Sequence, residues 1–147
     1  MSEHSAAERP KVTGINHVTF DVASVEESVE FYRNVLGCEL VAHWPAGAYL
    51  TAGTTWLALV RREEPPSPAA DYSHIAFGVS SEQFIDLTDR IRASGARVWQ
   101  ENWTEGESLY FEDPSGHRLE VHCTDLVTRL RAARTEPWEG LVIIDEL

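Results

Sequence analysis

Two histidines, His17 and His74, and one glutamate, Glu120, have the types and the spacing to hold a divalent metal ion. The histidines open two copies of one pattern: Asn16-His17-Val18-Thr19-Phe20-Asp21-Val22 returns 57 residues later as Ser73-His74-Ile75-Ala76-Phe77-Gly78-Val79. Side chains alternate along a strand, so Val18, Phe20 and Val22 share one face while His17 and Thr19 share the other. Ile75, Phe77 and Val79 stand against His74 in the same way. In a later strand Leu119 and Val121 alternate with Arg118, Glu120 and His122, which puts Glu120 on the polar face with His74 and sets His122 beside it, a weaker candidate read as an outer partner of the ligands and not one of them. Matching the copies sets Ala58, within Trp56-Leu57-Ala58-Leu59-Val60, where Glu120 stands, so the first copy lacks the carboxylate. Two imidazoles and one carboxylate leave coordination positions for water or substrate, as catalytic sites do and closed structural sites do not. The expectation is a metal site between the repeats, in a protein acting on a small molecule.

The elements that position these residues also repeat. After the strand at about 15–22, Ser24 and Glu27 form a capping-box pattern, and Val25, Val29, Tyr32 and Leu36 recur at helical spacing up to Gly37. Strands follow near 39–44, 48–52 and 55–61, divided by Pro45-Ala46-Gly47 and Gly53-Thr54. The second copy runs through a strand at 73–79, a cap at Ser80 with Gln83, and a helix carrying Phe84, Leu87 and Ile91 that ends at Gly95. Strands near 97–102, 108–112 and 117–122 follow, the last two joined by Asp113-Pro114-Ser115-Gly116. A final amphipathic helix covers about 124–134. The fold expected is α+β: a tail over 1–13, a βαβββ module over 14–62, a proline-rich linker over 63–71, a second βαβββ module over 72–123, and a C-terminal helix and tail over 124–147.

Composition narrows the function. The 147 residues carry a formal charge of −12 with a single lysine, Lys11, so phosphate backbones are repelled and nucleic acid is excluded as a partner. No apolar run approaches the roughly 20 residues that span a bilayer. Residues 1–13 are polar and lack the apolar centre of a signal peptide, and the expected location is the cytoplasm. Cys38 and Cys123 form no metal or redox motif and read as buried free thiols.

Other residues share the pocket face by parity: Thr19, Tyr49 and Trp56 in the first module, Ser108 and Tyr110 in the second, where they alternate with Leu109 and Phe111. For the aromatics, plain packing is an equal reading. His4, His43 and His117 lie in a tail, beside a turn and in a turn, and carry no site role. The segment Asn102-Trp103-Thr104-Glu105-Gly106-Glu107-Ser108 has enough carbonyls and hydroxyls to bind a hard cation, or to be simply a solvated loop.

Together these features resemble the vicinal oxygen chelate superfamily, which includes glyoxalase I, extradiol dioxygenases and drug-resistance proteins. More narrowly, Ile15-Asn16-His17-Val18-Thr19, Gly47-Ala48-Tyr49-Leu50, Asp71-Tyr72-Ser73-His74-Ile75-Ala76-Phe77-Gly78, the run from Tyr110 to Glu120, and Asp125-Leu126-Val127-Thr128-Arg129-Leu130 are similar to fosfomycin-resistance thiol transferases. The resemblance implies an enzyme that adds a low-molecular-weight thiol, glutathione or a similar one, to the epoxide of fosfomycin or a related phosphonate. It implies that His17, His74 and Glu120 bind Mn²⁺, with His17 coming from the other subunit of a swapped homodimer. Thr19 hydrogen-bonds the opening oxygen, and Tyr49 and Tyr72 match pocket tyrosines, Tyr49 being placed with Thr19 in the catalytic set. Arg129, Tyr110, Thr104 and Ser108 clasp the phosphonate, and Trp56 packs near the substrate's methyl group. The loop residues Asn102, Thr104, Gly106 and Ser108 match a K⁺ site.

The chain also departs from the family pattern. Gln100 stands where glutathione-using members carry a lysine, Trp103 where an arginine is expected, and Ala46 where a polar residue lies. Loss of two positive charges predicts weaker binding of a dianion or of glutathione's carboxylates. The cation loop argues against the bacillithiol-using branch, and the absence of an acidic residue from Trp44 to Leu50 argues against water as the nucleophile. Two rivals stay open: another metalloenzyme of the superfamily, such as a lyase or dioxygenase, and a non-catalytic protein that sequesters a drug.

Overall fold

The computed structural model describes residues 9–11, 13–64, 72–102 and 107–144. Its strands form two four-stranded mixed sheets of identical order. The first is built from β1 (His17–Val22), β2 (Glu39–Trp44), β3 (Gly47–Ala52) and β4 (Thr55–Arg61), in the order β1-β4-β3-β2. The second uses β5 (Ile75–Gly78), β6 (Val98–Gln100), β7 (Ser108–Glu112) and β8 (Arg118–His122), in the order β5-β8-β7-β6. In each sheet the first and last strands pair in parallel and the remaining pairs are antiparallel. The helices are α1 (Val25–Glu30), α2 (Phe84–Ala93) and α3 (Leu126–Thr135). The repeat of element order is the one expected, although β5 and β6 are shorter than the segments 73–79 and 97–102, and His74 lies just ahead of its strand.

Ser24 caps α1 by accepting the Glu27 N–H at 3.1 Å, and Glu26 and Glu27 place negative charge at the positive end of the helix. The helix then widens into a π-helical turn over Phe31–Val35, which periodicity alone does not reveal. There the Leu36 N–H reaches the Phe31 carbonyl at 3.2 Å, and the Cys38 N–H returns to Tyr32 at 2.9 Å around Gly37 in the left-handed region (φ 81°). The second module differs at this point. Ser80 still accepts the Gln83 N–H at 3.3 Å, but as part of a separate turn, and α2 begins only at Phe84. At α3, Asp125 caps the Thr128 N–H at 2.9 Å, a bond that holds its carboxyl below the usual carboxylate range.

The inward faces of both sheets meet in one core. Phe20, Val22, Leu50, Leu57 and Leu59 from the first sheet join Leu109, Phe111, Leu119 and Val121 from the second, with Phe31, Tyr32, Phe84 and Ile91 from the helical segments. A polar clasp crosses the same junction. The buried Asp113 carboxylate accepts the Tyr32 hydroxyl at 2.7 Å and the N–H groups of Ser115 and His117 at 2.9 Å each. Burial and the neighbouring Asp113 charge push the Tyr32 phenol well above its ordinary range. His117 donates through Nε2 to the Asp21 carbonyl at 2.6 Å, and Ser115 Oγ accepts the Ala23 N–H at 3.1 Å. His117 is thus structural, in line with its bland sequence reading. Burial also raises the Cys38 thiol to about 11, which keeps it protonated. Among the described residues, no helix is long and apolar enough to cross a membrane.

Candidate metal centre

Strand register fixes how the two sheets correspond. In the first, His17 lies opposite Trp56, Thr19 opposite Ala58 and Tyr49 opposite Ala58 on its other side. In the second, Ala76 and Tyr110 flank Glu120, and Ser108 lies opposite His122. Ala58 and Glu120 therefore hold the same position, as the sequence match requires. The sheet faces that carry them look away from the shared core, because successive side chains point to opposite sides.

On the second face His74 and Glu120 meet, with His74 Nε2 lying 3.0 Å from Glu120 Oε1. The other ring nitrogen, Nδ1, lies 2.7 Å from the Tyr72 carbonyl, which only accepts, so Nδ1 carries the proton. In the neutral ring this turns the Nε2 lone pair toward a carboxylate oxygen. Two acceptors at that distance repel unless a proton or a cation lies between them. Glu120 is only 7% exposed, which sharpens that need. Its Oε2 accepts the Ser108 hydroxyl at 2.6 Å. Ser108 in turn lies 2.5 Å from His122 Nδ1, and Thr124 Oγ1 lies 2.5 Å from His122 Nε2.

Aromatic rings wall this polar group. Tyr110, buried, has its ring 5.8 Å from that of His74, and Tyr72 has its ring 4.9 Å from it. Gln100 donates to the Tyr72 hydroxyl at 3.2 Å, so this departure from the family pattern sits at the pocket wall. The sequence reading missed Trp99. Its ring lies 5.4 Å from His74 and 5.3 Å from Tyr110, Arg118 stacks over it at 4.9 Å, and its Nε1 donates to the carbonyls of Phe111 and Leu119. The cause is a register shift between Val98 and Gln100, which breaks the alternation on which parity rests. No residue type in that segment announces such a shift.

The first face carries the other half of the expected set. His17 Nδ1 lies 2.7 Å from the Asn16 side-chain oxygen, so this ring too holds its proton on Nδ1 and presents the lone pair of Nε2. The ring stacks on Trp56 at 4.2 Å; Tyr49 packs edge-on against Trp56 at 5.3 Å, and Trp44 against Tyr49 at 4.9 Å. Tyr49 and Trp56 remain 38% and 36% exposed. Thr19 lies two residues along β1 on the His17 side.

These two faces do not converge within one chain. Among the described residues no three histidine, cysteine or acidic side chains are grouped to hold a metal. The expectation of a site between the repeats of one chain is therefore corrected: the core lies between them, and the histidines are on outer faces. Asn102 follows β6 on the surface, and Arg129 is half-buried in α3. Thr104 and Gly106, with Trp103, lie outside the described residues. A cavity of about 760 Å³ lies instead between α1 and the β2–β3 turn, beside Ser24, Leu40, His43 and Trp44. It contains none of the expected ligands.

Residues 14–121 match the model of the glyoxalase/bleomycin resistance protein/dioxygenase superfamily. The glutathione transferase FosA of Serratia marcescens is 41% identical over 135 residues, covering 90% of this chain and 96% of that protein. The metallothiol transferase FosB of Shouchella clausii (strain KSM-K16) is 38% identical over 144 residues, covering 92% and 97%. Among solved structures, the fosfomycin resistance protein FosX from Listeria monocytogenes, complexed with Mn(II) and a sulfate ion, superposes with a TM-score of 0.75 at 26% identity. That alignment covers 83% of this chain and 98% of FosX.

Proposed function

The chain belongs to the glyoxalase/bleomycin resistance protein/dioxygenase superfamily, and from that premise we propose that it is a metal-dependent transferase that adds a low-molecular-weight thiol to the epoxide of fosfomycin. The observation that carries this reading is the matched state of the two histidines: each has Nδ1–H tied to a carbonyl oxygen and Nε2 free to ligate, one of them aimed at Glu120. An acceptor bound to Nδ1–H fixes both the tautomer and the orientation of a metal-ligating histidine. A divalent metal fits these donors because it resolves the Nε2–carboxylate repulsion. His74 and Glu120 of one chain and His17 of a second copy would hold it, and Mn²⁺, bound in the FosX structure, is the expected ion. Such a pairing also buries the aromatic face around Tyr49 and Trp56.

When bound, the metal supplies Lewis-acid polarisation of the epoxide C–O bond. The chain's own residues do the rest. Arg129, Tyr110, Thr104 and Ser108 would surround the phosphonate, and Trp56, Tyr49 and Tyr72 would wall the three-carbon unit. Asn102, Thr104, Gly106 and Ser108 are the residues that would hold K⁺, which would supply positive charge near the phosphonate. The thiolate sulfur forms a bond to an epoxide carbon as the C–O bond on the opposite side breaks, and the released oxygen takes its proton with the help of the Thr19 hydroxyl. Gln100 on the pocket wall stands where glutathione-using members carry a lysine that contacts the phosphonate, so the site lacks there the positive charge that a dianion calls for.

Phosphorus NMR of fosfomycin, incubated with the protein, Mn²⁺, K⁺ and a panel of thiols, tests the reading. A new phosphonate resonance that requires both metal and one thiol is expected. Unchanged fosfomycin with every thiol, despite bound metal, would overturn it.

A further inference from the structure

His122 stands beside the ligand set as an outer partner whose action on it has not been specified. Its hydrogen bonds nevertheless have a direction that can be worked out from the carboxylate outward. An ionised carboxylate only accepts, so the single Ser108 proton goes to Glu120 Oε2. The contact between Ser108 Oγ and His122 Nδ1 at 2.5 Å must then be donated by the ring. With Nδ1–H spent on Ser108, the neutral ring has its lone pair on Nε2, and that accepts the Thr124 hydroxyl at 2.5 Å. All three histidines thus carry the proton on Nδ1, but with different outcomes. His17 and His74 are left with an open Nε2, whereas His122 has its Nε2 capped and is disqualified as a ligand.

We propose that His122, anchored by Thr124, is a positioning residue that locks the Ser108 hydroxyl onto Glu120 and so commits Oε1 alone to the metal. The strut explains why Glu120 presents one oxygen to His74 while the other is turned inward, in a carboxylate only 7% exposed. It is confined to the module that has the carboxylate. The register positions of Ser108 and His122 are Gly47 and Val60 in the first module, opposite Ala58's neighbourhood, and neither side chain can form such a bond. At Gly47 there is not even room for a side chain: a Cβ there would lie 2.6 Å from the Leu59 carbonyl oxygen. The strut also spends the Ser108 proton on Glu120, leaving that oxygen a lone pair for a cation.

This inference rests on the metal reading above, and the test separates the two. Mn(II) binding to the full chain is titrated by electron paramagnetic resonance for wild type, His122→Ala, His122→Asn and Thr124→Val, with the thermal midpoint of each metal-free protein alongside. An outer partner of a ligating group typically contributes about 10–100-fold in metal affinity, and His122→Ala is expected to weaken Mn(II) binding by that range and to broaden the bound spectrum. His122→Asn, whose amide N–H takes the place of Nδ1–H, should recover most of the loss. Thr124→Val should weaken binding severalfold without lowering the metal-free midpoint. Wild-type affinity in both His122→Ala and Thr124→Val overturns the strut and leaves the metal site standing. Absence of Mn(II) binding by wild type overturns the metal reading itself.

Discussion

Tyr49 and Tyr110 occupy the same node of two sheets built on one register, yet the first faces Ala58 and the second Glu120. The difference spreads outward from that pair. Around Ala58 the exposed face is aromatic, with Trp44, Tyr49 and Trp56 in edge-on contact and His17 stacked on the last. Around Glu120 the face is a closed polar network, with His74, Ser108, His122 and Thr124 in hydrogen-bonded sequence. Even the register position of Trp56, two residues before Ala58, is taken in the second sheet by Arg118, two residues before Glu120. Duplication preserved the lattice and divided the chemistry: one module offers an apolar wall and a single imidazole, the other the anionic donor and its supports. Among the described residues, neither face groups three ligating side chains.

The largest expected effect comes from forcing each half to fail separately. Glu120→Gln and His17→Ala should each abolish turnover and weaken Mn(II) binding, while circular dichroism stays native. Mixed after unfolding and refolding together, the two inactive variants should regain about a quarter of wild-type activity. Half of the dimers are mixed, and each mixed dimer holds one site with all three ligands on a two-fold-symmetric interface. No recovery in the mixture would place the ligands in one chain and end the division of labour.

Putting the missing carboxylate back tests the contrast from the other side. Ala58→Glu places a charge on a buried position whose neighbours, Tyr49 and Thr19, lack the Ser108–His122 support. A loss of about 1–3 kcal/mol in urea unfolding is expected from burying an incompletely paired polar group; wild-type stability would show that the first face tolerates the chemistry of the second. Between the modules, Tyr32→Phe deprives the buried Asp113 of one donor and should cost about 1–3 kcal/mol. The Tyr32 phenol is raised in the folded state, so its contribution is complete below the ordinary tyrosine value of about 10 and fades as pH rises through the folded value. Wild type should thus lose stability in strong alkali by more than the phenylalanine variant does. The smallest effect concerns the pocket wall: Gln100→Lys should lower KM for fosfomycin severalfold, with kcat less affected. An unchanged KM would mean that charge at this wall does not reach the substrate.

Much of this was legible in the residues. Period-two alternation separates core from site faces, the Ser24 cap sets the start of the first helix, and Asp113-Pro114-Ser115-Gly116 announces the turn that becomes the clasp. The equivalence of Ala58 and Glu120 followed from counting two residues per pleat. What escaped depends on contacts between distant segments. The register shift that swings Trp99 into the aromatic wall, the π-helical turn at Phe31, and the bond from Tyr32 to Asp113 across 81 positions have no local pattern to betray them. The direction in which the repeats face is likewise a tertiary fact. A duplicated site motif invites the picture of ligands converging inside one chain, and only the shared core shows that the apolar faces claimed that place.

The clasp around Asp113 has a consequence for how the chain is held together. Tyr32, Asp21 and Ala23 grip the 113–117 turn directly, and the apolar core runs unbroken beneath them. Peptide continuity between the modules is then a convenience of synthesis more than a requirement of assembly. A chain severed between residues 64 and 72 should stay associated and migrate as one particle in gel filtration, and the two pieces made separately should find each other.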